Sequence, residues 1–419
     1  MNQILQTLRG DKAIWAFIGA LMIASFLPIY SASTNLVYIH QKGTIIGHLM
    51  NHFLFILIGF FIIYFVHKMP YHYFRGLTKY GIYVVIVLLV FTLKTGTVKE
   101  GAFAARSLTI PFVNISFQTS TLAFIIVMIF TARFLSNYAE KKYSFRDSFI
   151  DFWIPVFLVV GAILPANFST AAFVFSMICM LLFVGMYPLK HLFSTIGIGL
   201  VGAMLFYVAG KNFGPESIQN KLTTWENRIK NYGNNDENKP EEYQIERSKM
   251  AIATGGTFGL GAGKSIQKNF IPESTNDFIY AVIVEEYGLL IGGIGILFIY
   301  LMLFIRFWLV ARKTTSIFGR YLVIGLGFSL FFQAIINMGV AVELFPTTGQ
   351  TLPLISSGGT SIWMTCAALG IILSVSKKED EIKADLLEKQ QREEALQRII
   401  DREIAVDSQA INQQLTTNN

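Results

Sequence analysis

Apolar runs separated by short polar turns recur from Ala13 to Ser376, and this pattern reads as a series of membrane-crossing helices. Ten runs are visible: Ala13–Tyr30, Phe53–Val66, Tyr80–Leu93, Ser116–Phe134, Phe152–Leu164, Ala171–Met186, Leu192–Val208, Ile279–Ile305, Tyr321–Met338 and Ser361–Ser376. Several apolar cores are shorter than the roughly 20 residues that cross a bilayer comfortably, so their boundaries are loose. One interruption is unlike the others. Residues 209–277 form a polar loop that contains Trp and Tyr and ends in NFIPESTNDFIYAVIVEEYG, with Asp277 where the chain re-enters apolar sequence. Long ordered loops on a rigid scaffold usually carry function, so this loop is the first place to look for chemistry. The predicted fold is an all-α integral membrane protein over residues 1–376, followed by a charged tail, 377–419.

Composition agrees with the pattern, since 53% hydrophobic and 15% charged residues exclude an ordinary soluble enzyme. Cys179 and Cys366 both fall inside apolar spans, which leaves no disulfide framework and no zinc site. The net charge of +7 does not point to nucleic acid, because the basic residues are scattered among loops in the manner of orientation signals. With a cytoplasmic N-terminus, the inside segments hold Arg9, Lys12, Lys68, Arg75, Lys79, Lys141, Lys142, Arg146, Lys190, Arg312, Lys313 and Arg320. The short outside loops hold only Lys42, Lys94, Lys99 and Arg106, so both termini are expected in the cytoplasm and the long loop outside. No cleavable signal peptide is expected, because the first apolar stretch lacks a small-residue cleavage site and further spans follow. In the tail, Ile382, Leu386, Leu387, Leu396 and Ile399 give helical periodicity, which suits either a solvated helix or one that binds a partner.

Three places carry candidate chemistry. GLGAGKS, Gly259 to Ser265, resembles the end of a nucleotide-binding loop, but Phe258 stands where that motif needs glycine. Its glycines, with Lys264 and Lys268, form either a cationic turn whose amides approach an anionic headgroup or a simple tight turn. A second glycine-rich stretch, ELFPTTGQTLPLISSGGTS from Glu343 to Ser361, joins the last two spans and cannot be regular helix throughout. Irregular backbone near membrane depth needs protein or a wet cavity to satisfy it, so the stretch is either a cavity wall or an ordinary reversing loop. Asp277 is the third. It is either a helix cap or a reactive carboxylate, with Glu273 four residues before and Glu285 eight after, near one face with it if the helix extends that far. Glu285 and Glu286 then lie inside an apolar span, where ionised groups usually face an interior or a cavity.

The strings IPESTNDFIYAVIVEEYGLLIG, MAIATGGTFGLGAGKSIQ and QAIINMGVAVELFPTTGQTLPLISSGGTS resemble the SEDS family (shape, elongation, division and sporulation), as do the span count and loop placement. LPLIS with the preceding Gln350, and FQTSTLA at Phe117 to Ala123, are more similar to the division branch than to the elongation branch. The resemblance implies a peptidoglycan glycosyltransferase that polymerises lipid II at the outer face of the bacterial cytoplasmic membrane, with inversion at the anomeric carbon. It implies Asp277 as the base, and Lys264, Lys268, Arg106 or a bound divalent cation (magnesium or manganese) to neutralise the diphosphate. Substrate contacts are expected from Glu273, Trp225, Arg228, Tyr243 and Gln244, and from Thr347, Thr348, Gln350, Ser356, Ser357, Gly358 and Gly359. The partners it implies are a class B penicillin-binding transpeptidase and, for the division branch, septal proteins. The chain departs from the family pattern at Thr121 and Phe124, where Glu and Lys are usual, at Asn167, where Asp is usual, and at Ser107 beside Arg106, where Trp is usual. A lipid II transporter and a non-catalytic scaffold for a transpeptidase are the alternatives, and the scarcity of charge at the centres of the spans argues against transport.

Overall fold

The computed structural model describes residues 9–38, 43–95, 107–110, 115–141, 144–230, 240–271 and 274–382. Arg106, Glu273 and the tail beyond Ile382 lie outside these residues, as does the side chain of Arg228.

Asp11 starts the first span, its Oδ1 accepting from the amides of Ala13 and Ile14 at 2.9 and 3.2 Å. The helices α1 (Lys12–Ala24) and α2 (Phe26–Tyr38) then form one crossing, Lys12–Thr34. At the junction the Ser25 hydroxyl bonds to the Met22 carbonyl at 2.7 Å, and His52 Nε2 lies 2.8 Å from it. Next come α3 (Ile45–Lys68), α4 (His72–Thr95), a hairpin of β1 (Ser107–Ile110) and β2 (Ile115–Gln118), and α5 (Thr119–Glu140). The hairpin corrects the expected fourth span, which begins at Thr119 rather than Ser116; Ser107 pairs with Gln118 and Ile110 with Ile115. The fifth expected span is a composite of α6 (Phe145–Ser148), a π turn (Phe149–Trp153) and α7 (Ile154–Ile163). Pro155 sits at the start of α7 and has no N–H to return to Asp151, so the regular ladder cannot run through the turn.

The chain continues through α8 (Phe168–Val184), α9 (Leu189–Phe213), and the loop helices α10 (Glu216–Lys230) and α11 (Pro240–Gly255). Beyond them α12 (Ile279–Tyr287), a π segment (Gly288–Gly295) and α13 (Ile296–Lys313) share one long span; α14 (Ile317–Ala341) and α15 (Thr360–Ile382) complete the bundle. Eight of the ten expected spans are helices long and apolar enough to cross a membrane, while the fifth and sixth are shorter. The last span runs on to Ile382, past the expected boundary at Ser376.

The core is built around α14 and α15, each 72% buried, whereas α9 is 11% buried and presents its apolar surface outward as a lipid-facing helix does. Both described ends of the chain meet at one end of the bundle. Arg9 pairs with Glu381 at 3.5 Å, the Asp11 amide donates to Ser376 Oγ at 3.0 Å, and Arg306 reaches Asp11 at 3.3 Å.

Candidate active site

The sequence places Asp277 at a helix start, and the structure places it just before one. Helix α12 begins at Ile279 with Phe278 at the N-cap, which supplies no side-chain cap, so Asp277 is one residue outside the capping position. Its half-buried carboxylate lies against the last loop, with Oδ2 3.7 Å from where a Cβ on Gly349 would stand. Gly349 has φ +67°, a backbone conformation that costs any residue with a Cβ.

The last loop is stitched to the Asp277 turn. Ser356 Oγ donates to the Asn276 carbonyl at 2.6 Å and accepts from the Leu352 amide at 2.8 Å; the Ser357 amide donates to the Thr275 carbonyl at 2.9 Å. From below, two amide side chains one helical turn apart on α14 hold the same loop. Gln333 Nε2 donates to the Thr351 carbonyl at 2.9 Å, and Asn337 Nδ2 donates to the carbonyls of Asp277 and Gln350 at 2.8 and 2.7 Å. Gln350 Nε2 reaches Thr170 Oγ1 at 3.1 Å, and Tyr300 donates to the Pro353 carbonyl. Thr348 Oγ1 and Asn337 Oδ1 are buried polar atoms with no hydrogen-bond partner in the protein. Non-helical backbone at this depth is thus satisfied by neighbouring helices and by bonds within the loop.

Of the expected last-loop contacts, Ser356 is a buried strut rather than a surface for substrate, because its hydroxyl is spent on both sides. Thr347, Thr348, Gln350, Ser357, Gly358 and Gly359 are half-buried around the same loop. A small uncharged cleft opens between α5, α14 and α15, with Thr121, Phe124, Gln333, Ser361 and Met364 in its wall. The two positions where the family carries charge therefore face a neutral space that shares Gln333 with the loop.

The glycine- and lysine-rich stretch forms a tight turn against α12. Gly259 has φ +82°, and a Cβ there would stand 2.3 Å from the Glu286 carbonyl, so only glycine allows the loop to run this close to α12. The amides of Leu260 and Gly261 donate to the carbonyls of Glu285 and Glu286 at 3.0 and 2.9 Å. Glu285 accepts from the Ile266 and Gln267 amides at 2.9 and 3.2 Å and from Ser265 Oγ; Glu286 accepts from Ser31 Oγ. Lys268 Nζ completes the cluster, donating to Ser31 Oγ at 2.7 Å and the Gly263 carbonyl at 2.8 Å, and lying 4.0 Å from Glu286.

The turn is therefore an anion site whose anions belong to the protein. Of the two readings open for this turn, the bonding fits the tight turn rather than one whose amides approach a headgroup, Lys268 is buried against Glu286 rather than turned to substrate, and Glu285 and Glu286 face the interior. Burial pushes the Lys268 ammonium below its usual pKa, and the charges of Glu286 and Glu285 oppose that shift. Lys264 is exposed at the rim.

The remaining expected contacts are dispersed. Trp225, on α10, packs against Phe168 with ring centroids 4.6 Å apart and the rings tilted by 40°, and Gln244 is half-buried on α11. Tyr243 lies beneath the Arg247 guanidinium at 4.8 Å, with Phe270 4.9 Å away on the other contact. Sequence reading passed over Arg247, Ser31 and Asn337. For Asn337 the signal was present: Gln333 and Asn337 are polar side chains four apart inside an apolar span, which places them on one face.

A family model described as cell cycle protein, covering FtsW, RodA and SpoVE, matches residues 11–381. The chain belongs to this family. It is 28% identical over 367 residues to a probable peptidoglycan glycosyltransferase FtsW of Coxiella burnetii, covering 86% of this chain and 92% of that one. It is 30% identical over 330 residues to the stage V sporulation protein E of Bacillus subtilis, covering 77% and 85%. A solved chain from work on the structural coordination of polymerization and crosslinking by a peptidoglycan synthase complex shares the fold, with a TM-score of 0.67 at 23% identity. That match covers 88% of this chain and 98% of the other. The family and the eight long apolar helices make this a multi-pass membrane protein.

Proposed function

We infer that this protein is a peptidoglycan glycosyltransferase, and that Asp277 is the base that deprotonates the acceptor sugar in the polymerisation of lipid II. The observation that carries the reading is the placement of Asp277: a half-buried carboxylate outside the helix cap, pinned against Gly349 by a loop whose other polar groups are mostly satisfied. The acceptor 4-hydroxyl attacks the anomeric carbon, its proton passes to Asp277, and the lipid diphosphate departs from the opposite face. A single displacement of this kind inverts the anomeric centre. The leaving group is already good, so the protein's main tasks are to align two lipid-linked sugars and to accept one proton.

The departing diphosphate needs positive charge. Lys264 at the rim and Arg106 are the protein groups proposed for that task, while Lys268 is committed to Glu286. Among the described residues no three His, Cys, Asp or Glu side chains converge on a cation site. Asp277 is the described carboxylate that would hold a magnesium or manganese ion here, and the ion would supply positive charge to the departing diphosphate. The relatives named FtsW and the family model described as cell cycle protein favour the division branch, for which we infer a septal role beside a class B penicillin-binding transpeptidase, while the distribution of basic residues favours both termini in the cytoplasm and Asp277 outside. The meeting of Arg9 with Glu381 at one end of the bundle supports the placement of both termini on one side.

The test of the function class is a pair of assays on the protein co-purified with its cognate transpeptidase. Glycan polymer from purified lipid II is the expected result. Movement of labelled lipid II across a proteoliposome membrane without polymer would replace this reading with transport.

A further inference from the structure

Asn337 grips the backbone of two residues at once. Its Nδ2 donates to the Asp277 carbonyl and to the carbonyl of Gln350, the residue after the glycine against which the Asp277 carboxylate lies. The Ser356 and Ser357 bonds fasten Asn276 and Thr275 of the same turn, whereas the Asn337 bond acts on Asp277 itself. The amide is 1% exposed on α14, a helix 72% buried in the bundle, so it is a fixed reference point for a turn made of irregular backbone. Its Oδ1 is buried with no hydrogen-bond partner in the protein, a deficit that costs stability. Filling space in an apolar span would not require that deficit, since leucine fills a similar volume.

We propose that Asn337 is a positioning residue for catalysis, setting the Asp277 carboxylate against Gly349 by bridging the Asp277 and Gln350 carbonyls. The inference rests on Asp277 being the base. Loss of the bridge frees the turn and the loop to separate, and a displacement of about 1 Å at a reacting group is enough to cost about a hundredfold in rate. Substrate binding is spread over other groups and changes little.

The test measures turnover and KM for lipid II polymerisation by the complex with the cognate transpeptidase, together with its melting temperature. The variants are Asn337→Asp, Asn337→Ser, Asp277→Asn and the double variant Asp277→Asn with Asn337→Ser. Asn337→Asp keeps the shape and turns a donor of two bonds into a group facing two carbonyls, so it is expected to be the more damaging of the two single changes. For Asn337→Ser, turnover is expected to fall about 10- to 100-fold with KM within about twofold of native. Asp277→Asn falls further, and the double variant falls no lower than Asp277→Asn alone, because Asn337 acts through the carboxylate.

A folded Asn337→Ser complex with native turnover, beside an inactive Asp277→Asn complex, overturns the positioning role and leaves the base in place. Additive losses in the double variant also overturn it. Native turnover by Asp277→Asn removes the base and the positioning role together. If neither Asn337 variant assembles in either background, Asn337 is a stability residue and the proposal fails.

Discussion

The two glycine-rich loops of this protein look alike in sequence and have opposite structural fates. The loop around Gly259–Lys268 has the lysines and glycines of an anion site, yet its amides and ammonium are consumed by Glu285 and Glu286. The loop from Glu343 to Ser361 has no basic residue, yet its Ser356 and Ser357 bonds, with Asn337, hold the Asp277 turn in place. Composition alone points to the first loop for binding chemistry. The bonding pattern ties the first loop to the first span through Ser31 and Lys268, and on the proposed function the second loop is where the reaction takes place.

The comparison can be broken most sharply at Lys268. Lys268→Met leaves Glu286 buried without its cation, and about 3–5 kcal/mol of stability is expected to go with it. Adding Glu286→Gln should restore much of the melting temperature of the purified complex. A single variant as stable as native protein would return Lys268 to the list of substrate ligands. On the second loop, Gly349→Ala imposes a Cβ at φ +67° and covers one face of the Asp277 carboxylate. The strain is expected to cost about 1–3 kcal/mol, and turnover should fall with little change in KM.

Ser356→Ala removes the bond to the Asn276 carbonyl and leaves the buried Leu352 amide without its acceptor, for a cost of about 1–3 kcal/mol read as a lower melting temperature. The smallest effect belongs to Lys264→Ala. As an exposed group it should leave stability within about 0.5 kcal/mol of native, and as a weak diphosphate contact it should raise KM about two- to fivefold. A large loss of turnover in that variant would move the chemistry back toward the first loop.

Much of the scaffold was legible because a bilayer imposes a strong rule on sequence: long apolar runs cross it as helices. The runs around Leu192–Val208 and Tyr321–Met338 correspond to full spans, and the long loop precedes the Asp277 turn as the pattern required. Interruptions made by tertiary contact were harder to see. The Ser107–Gln118 hairpin was missed because its second strand runs directly into the apolar stretch of α5. The π segment after Tyr287 accompanies the close approach of the Gly259 loop to the end of α12, a contact between residues far apart in the chain. For the same reason the two readings of the Gly-Lys loop stayed open: nothing within GLGAGKS announces that its anions are carboxylates about 20 residues later. Asn337 was legible as an oddity, a polar amide four residues from Gln333 in an apolar helix. Only its two carbonyl partners say what it does.

The central claim is that the reaction runs at the carboxylate held by the loop without basic residues. The most direct measurement is glycan polymerisation from lipid II by Asp277→Asn beside native protein, each in complex with the transpeptidase and matched for melting temperature. The account predicts polymer from the native complex and a fall of about 10²- to 10⁴-fold in the variant, the range of a lost general base. Polymer at the native rate from the variant would contradict it.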